Sequence, residues 1–195
     1  GKYDILLGTQ MVAKGHDIPN VTAVGILSAD AALNMPDFRA AEHCFALITQ
    51  TAGRAGRGKV PGRVLVQCYN PEHYAVRCAV EQDYQKFYEA EIEFRRALFF
   101  PPFCRLIKLT FLHEKEEIAR ENAVQVKEKF MIAFAGAVYR QILGPAPASI
   151  AKFNGVYRFS LLIKTDDLTV TQNFLRQEQM ERRTDVLIDI DPIML

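Results

Sequence analysis

A chain of 195 residues with a net charge of +1 and 24% charged side chains has neither the field of a general polyanion binder nor the polarity of a disordered segment. Its 49% hydrophobic content suffices for one large domain or two small ones, and no apolar run approaches the ~18 residues that a membrane span needs. Cys44, Cys68, Cys78 and Cys104 form no C-x-x-C pair and have no histidine at finger spacing, which argues against zinc and against a disulfide framework.

Residues 4–8 (Asp-Ile-Leu-Leu-Gly) and 21–27 are short continuous apolar runs, the pattern of strands buried on both faces of a parallel sheet. Residues 1–3 lead almost directly into the first run, with no signal-peptide pattern, so the earlier strands of such a sheet are expected upstream. Between the runs lies Thr9 to Pro19, a polar turn containing Lys14, Gly15, His16 and Asp17. It sits at the carboxyl edge of a strand, where open α/β sheets bind ligands. His16 reads as a loop residue that fills space.

Apolar positions Phe38, Ala41, Phe45, Ile48 and Ala52 step by three or four, which predicts a helix with Asp37 as its N-cap. The helix runs into Gln50-Thr51-Ala52-Gly53-Arg54-Ala55-Gly56-Arg57. Two arginines three apart bring two guanidinium forks together, each matched to phosphate oxygens, and Gly53 and Gly56 leave room beside them. Residues 53–60 imitate a phosphate-binding loop, G-x-x-x-x-G-K-[ST], but Val60 has no hydroxyl for magnesium and the segment follows a helix where such a loop follows a strand. A strand over 63–68 comes next. Residues 71–100 show helical spacing stopped by Pro101-Pro102, and the charges Glu89, Glu91, Glu93, Arg95 and Arg96 read as a solvated face.

A second unit starts after the prolines. It reads as a strand over 105–112, a helix over 119–137, a strand over 149–153, a turn at Asn154-Gly155, a strand over 156–164, a helix over 168–183 and a strand over 186–190. Asn-Gly between alternating runs is a strong hairpin signal, and the order βαββαβ predicts a ferredoxin-like sandwich. From Lys129 to Thr165 no acidic residue occurs, while Lys129, Arg140, Lys152, Arg158 and Lys164 do. Lys152, Phe153, Tyr157, Arg158 and Lys164 interleave cations with rings, a combination that tracks a phosphate backbone and stacks bases; the alternative is that Phe153, Tyr157 and Phe159 are partly core. The domain boundaries predicted are 1–72, 73–102 as a helical connector, and 103–195.

Thr9-x-x-x-Ala13-Lys14-Gly15-x-Asp17-Ile18-Pro19 resembles motif V of superfamily 2 helicases, and Gln50-x-x-Gly53-Arg54-x-Gly56-Arg57 resembles motif VI, in that family's order and about 40 residues apart. The segments at residues 8–16, 37–42, 101–102, 155–158 and 189–192 extend the resemblance, across nearly the whole chain, to the primosomal replication-restart helicases. The resemblance implies a partial RecA-like second helicase lobe followed by the ferredoxin-like domain. Arg54 and Arg57 would contact nucleotide phosphates, with Arg57 as the finger, and Gln50 would couple that cleft to DNA. Gly15, Asp17 and Gly53 would line the nucleotide site; Thr9 and Lys14 would meet the DNA backbone. The family uses ATP with magnesium, and zinc at cysteines that have no counterpart here. Implied partners are forked and single-stranded DNA, single-stranded-DNA-binding protein and primosome proteins, in the bacterial cytoplasm at the nucleoid. Walker A and Walker B sequences are absent, so the chain by itself is expected to be inactive. Two alternatives stay open: a non-catalytic module that binds DNA and partner proteins, and an RNA helicase lobe.

Overall fold

The computed structural model describes residues 4–9, 21–55 and 61–193. They divide into two units, Gly1–Phe94 and Arg95–Leu195, each with its own core.

In the first unit β1 (Ala23–Ile26) pairs in parallel with β2 (Arg63–Val66), from Ala23↔Arg63 to Ile26↔Val66. The pairing is extended by Gln67 N–H donating to Ile26 O at 2.8 Å and Ala29 N–H to Gln67 O at 2.9 Å. The chain then enters a 3₁₀ turn, Ala29–Asn34, where Asp30 Oδ2 accepts from the Tyr69 and Asn70 amides at 2.6 and 3.0 Å. Burial pushes that carboxyl up, but the Asn70 and Tyr69 amides outweigh it and hold it below the usual range. Helix α1 (Ala40–Ala52) buries Ala41, Cys44, Phe45 and Ile48 against Ala75, Val76, Cys78 and Ala79 of α2 (Tyr74–Glu81). Phe45 also stacks on Phe87 of α3 (Tyr84–Ala97), centroids 4.3 Å apart.

Four expectations change here. Residues 4–9 form no strand, and Ile5 and Leu7 are 87% and 85% exposed; an apolar strand needs neighbours at its edges and layers on its faces, and none covers these residues among the described ones. Asp37 is not the N-cap: the helix starts after Arg39, and the Asp37 carboxylate accepts the Arg39 amide at 2.8 Å in a local turn before it. The helical pattern over 71–100 is two helices broken at Gln82, which is left-handed at φ 54°. Glu91 is 5% exposed and accepts the Tyr74 hydroxyl at 2.6 Å, so it is not part of a solvated face.

The second unit has strands β3 (Arg105–His113), β4 (Arg140–Phe153), β5 (Val156–Thr165) and β6 (Val186–Ile190) in the order β4-β5-β3-β6, all antiparallel. With α4 (Glu116–Ala133) and α5 (Leu168–Gln177) this is the ferredoxin-like βαββαβ arrangement. Alternation puts Ile107, Leu109 and Phe111 of β3 and Phe159, Leu161 and Ile163 of β5 on the helix side. There they meet Ala119, Ala123, Val126 and Phe130 of α4, spaced one helical face apart. Phe130 and Phe174 close the core edge to face at 5.5 Å.

Strand β4 is longer than the 149–153 expected, because Pro145 and Pro147 look like strand breakers yet lie on an edge strand, where a missing donor costs no ladder bond. Its register shifts between Leu143 and Ala146, and Gly144 there has φ 97° with Ser160 O only 2.6 Å from where a Cβ would stand. A side chain at that bulge does not fit. Helices α4 and α5 stop short of 137 and 183; after α5, left-handed Gln179 leads into a 3₁₀ turn over Met180–Arg182.

The end of β6 is tied to β3. Arg105 grips the Asp191 carboxylate with two donors, Nε at 2.7 Å, and Asp191 Oδ1 accepts the Leu106 amide at 3.2 Å. The Arg105 hydrogen bond holds the Asp191 carboxyl below its ordinary value. A carboxyl depressed by folding contributes stability above its unfolded pKa and loses it as pH falls through the folded one. Asp191→Asn should therefore lower the urea midpoint at pH 7 by the equivalent of about 0.5–1 kcal/mol, since the pair is half-exposed. As pH falls below about 4, the ordinary carboxyl value, toward the lower folded one, the difference between the two proteins should shrink.

Candidate nucleotide and nucleic-acid sites

Gln50 lies in the last turn of α1, Gly53 is its C-cap and Arg54 follows. Positions i, i+3 and i+4 share one helical face, and the peptide dipole makes this end favourable to cations. Gln50 is exposed on the last turn and Arg54 is half-buried, its amide donating to Thr51 O at 3.1 Å. Gly53 is right-handed, φ −63°, and a Cβ there would meet only Thr49 O at 3.5 Å and Gln50 O at 3.6 Å. The local backbone would accept alanine, so the turn itself does not require a glycine there. Thr9 is exposed, outside any regular element. Lys14, Gly15, Asp17 and Arg57, with His16 and Gly56, lie outside the described residues.

Asp30 was not singled out from the sequence. It stands at the carboxyl edge of β1, 7% exposed, and its Oδ1 has no hydrogen-bond partner among the described residues. An aspartate three residues after the apolar run that ends at Leu27 is a signal that could have marked it.

The interleaved residues of the second unit do not form one surface. Lys152 pairs with Tyr157 and Phe153 with Val156 across the turn, so alternation sends Tyr157 to the helix side and Arg158 to the open face. Tyr157 packs against the core; Lys152 covers its ring at 4.1 Å and donates to its hydroxyl at 3.0 Å. Phe159 is buried. Arg158 is half-exposed, opposite Leu112, and forms no ion pair among the described residues.

Lys164 is a correction. It is 4% exposed, donates to Leu98 O at 2.9 Å and holds its ammonium 3.5 Å from the Phe100 ring centroid. Burial lowers its pKa. Such a group fastens the segment before β3 and cannot reach a phosphate on the surface. Lys129 and Arg140 are also engaged, with Glu178 at 2.5 Å and Asp166 at 3.2 Å. A sequence stretch without acids is therefore not a surface without them.

The family described as primosomal protein N C-terminal domain matches residues 96–193. The chain is 42% identical to replication restart protein PriA of Bacillus subtilis (strain 168), over 100% of this chain and 25% of that protein. It is 41% identical to the protein of that name in Treponema pallidum (strain Nichols), over 99% of this chain and 30% of that protein. For Haemophilus influenzae the identity is 37%, over 98% of this chain and 27% of the relative. The chain thus spans less than a third of the length of these relatives.

Replacing Lys164 separates a fastening role from a DNA-binding one. Lys164→Ala should cost about 1–3 kcal/mol, read as a lower thermal midpoint, because the Leu98 carbonyl loses its donor. Affinity for DNA, measured well below that midpoint, should be unchanged.

Proposed function

The chain belongs to the primosomal protein N C-terminal domain family found in replication restart proteins, and from that premise we propose that it acts in replication restart as the carboxyl-terminal part of an ATP-driven 3′ to 5′ DNA helicase. The observation that carries this reading is the placement of Gln50 and Arg54 together at the carboxyl end of α1, Gln50 in its last turn and Arg54 just past its C-cap. In the reading, Arg54 and Arg57 face the phosphates of ATP and magnesium held mainly by another lobe of the longer protein, together with Gly15, Asp17 and Gly53. Closure around the nucleotide brings the arginines to the charge that develops on the transferred phosphoryl group. Reopening, relayed through Gln50 to Thr9 and Lys14 at the DNA backbone, moves the lobe along one strand. Zinc belongs to other parts of the longer protein, and forked DNA, single-stranded-DNA-binding protein and primosome proteins are the proposed partners.

Arg54→Ala in the full-length protein should cut DNA-stimulated ATP turnover by about 10²-fold or more while nucleotide affinity changes far less; an unchanged kcat removes the arginine role. The 195-residue chain alone should show no turnover.

A second reading, a module that binds DNA by itself, is favoured by Arg158, a guanidinium on the open sheet face with no ion pair among the described residues. Arg158→Glu should weaken DNA binding and reduce the slope of log affinity against log salt by about one. Fluorescence anisotropy across a salt series measures both.

A further inference from the structure

The β4–β5 hairpin ends in a residue pair that the rest of the sheet does not reach. The last β3 partner of β5 is His113, opposite Tyr157; beyond it Phe153 and Val156 pair with each other alone. Asn154 and Gly155 make the turn, both at positive φ, 49° and 82°. That is the two-residue geometry whose twist matches the strands, so the tip is a rigid end rather than a slack loop.

Phe153 stands at this tip 58% exposed. A single exposed apolar side chain is ordinary on a protein surface; what surrounds this one is not. Because Phe153 opposes Val156, and Val156 and Arg158 are two apart on one strand, ring and guanidinium project from the same open face. Two residues of strand separate Val156 from Arg158 by about 6.6 Å, and the cross-strand pair adds about 5 Å sideways. A single strand of nucleic acid places a base and a neighbouring phosphate on this scale. Glu114, the residue after β3, is exposed and makes no ion pair with Arg158. Lys152, next to Phe153 on β4, lies on the opposite face with its ammonium on Tyr157.

We propose that the tip of the β4–β5 hairpin binds single-stranded nucleic acid, with the Phe153 ring stacked on an unpaired base and the Arg158 guanidinium on an adjacent phosphate. Phe153 supplies the sequence-tolerant part of the contact, since every base has a face to stack. Arg158 supplies the salt-dependent part. Tyr157, half-buried under Lys152, supplies neither. The proposal rests on the reading that this unit contacts DNA, and it adds which ring meets the base.

The chain contains no tryptophan, so Phe153→Trp installs a single fluorescent reporter at the tip. An oligothymidylate should quench that indole, and an abasic oligonucleotide of equal length should not. In anisotropy, Phe153→Ala should weaken oligothymidylate binding about five- to tenfold and leave abasic binding unchanged, while Arg158→Glu weakens both. An indole left unquenched, or a Phe153→Ala loss equal on both oligonucleotides, overturns the stacking proposal even where Arg158→Glu still acts. If neither variant changes binding to either oligonucleotide, the DNA-contact reading of this unit fails and the proposal falls with it.

Discussion

The turn at Asn154-Gly155 is the constraint on which the second unit depends. With two residues in the turn, Phe153 must face Val156 and Lys152 must face Tyr157. That single offset places Phe159, Leu161 and Ile163 under the helices and leaves Arg158 and Ser160 on the open face. A slip of one residue would turn the whole set over, burying a guanidinium and exposing three large apolar side chains. Each of those is worth about 1.5–3 kcal/mol when buried, so the register is held far more strongly than any surface contact could hold it. Function inherits this: the side chain available to a ligand is fixed by which neighbour the core must bury.

This explains what was legible in the sequence. The strand order, the helical face of Ala119, Ala123, Val126 and Phe130, and the hairpin register all rest on local periodicity and turn chemistry, which a chain displays residue by residue. The separation of Tyr157 from Arg158 was legible too, because a two-residue turn and strict alternation decide it. The fate of Lys164 was not. Its partner is a carbonyl 66 residues away in sequence, Leu98 O, and no pattern around residue 164 announces it. Glu91 is hidden for the same reason: in the pattern it is one charge among several, and only packing beside Tyr74 makes it a buried acceptor. The proline-bearing half of β4 misled in the opposite sense, since its local signal was correct chemistry for a break but edge position removes the cost.

In the first unit the candidate site follows from how one helix is held. Ala41, Cys44, Phe45 and Ile48 commit one side of α1 to the core, which leaves Gln50, Gly53 and Arg54 at its carboxyl end. Sequence spacing alone predicts that these residues share a face; the structure adds that Gly53 is not there for its backbone angles. The Asp30 clasp has a similar logic. By accepting the Tyr69 and Asn70 amides it ties the loops that leave β1 and β2 at the same sheet edge, so the edge where α/β sheets take ligands is fixed by a buried carboxylate rather than by the loops' own preferences.

Charge patterning was the weakest guide. Of the five cations in the acid-free stretch, Lys129 and Arg140 are neutralised by Glu178 and Asp166, and Lys164 is buried against a carbonyl. Lys152 rests on Tyr157, which leaves Arg158 without an ion pair among the described residues. A stretch that offers so few accessible cations releases few counterions, so it gains little affinity from electrostatics at physiological salt. A nucleic-acid contact built here has to draw most of its strength from short-range terms, and stacking on an exposed ring is the one such term that does not depend on base sequence. That requirement points back to the hairpin tip, where the register leaves Phe153 uncovered.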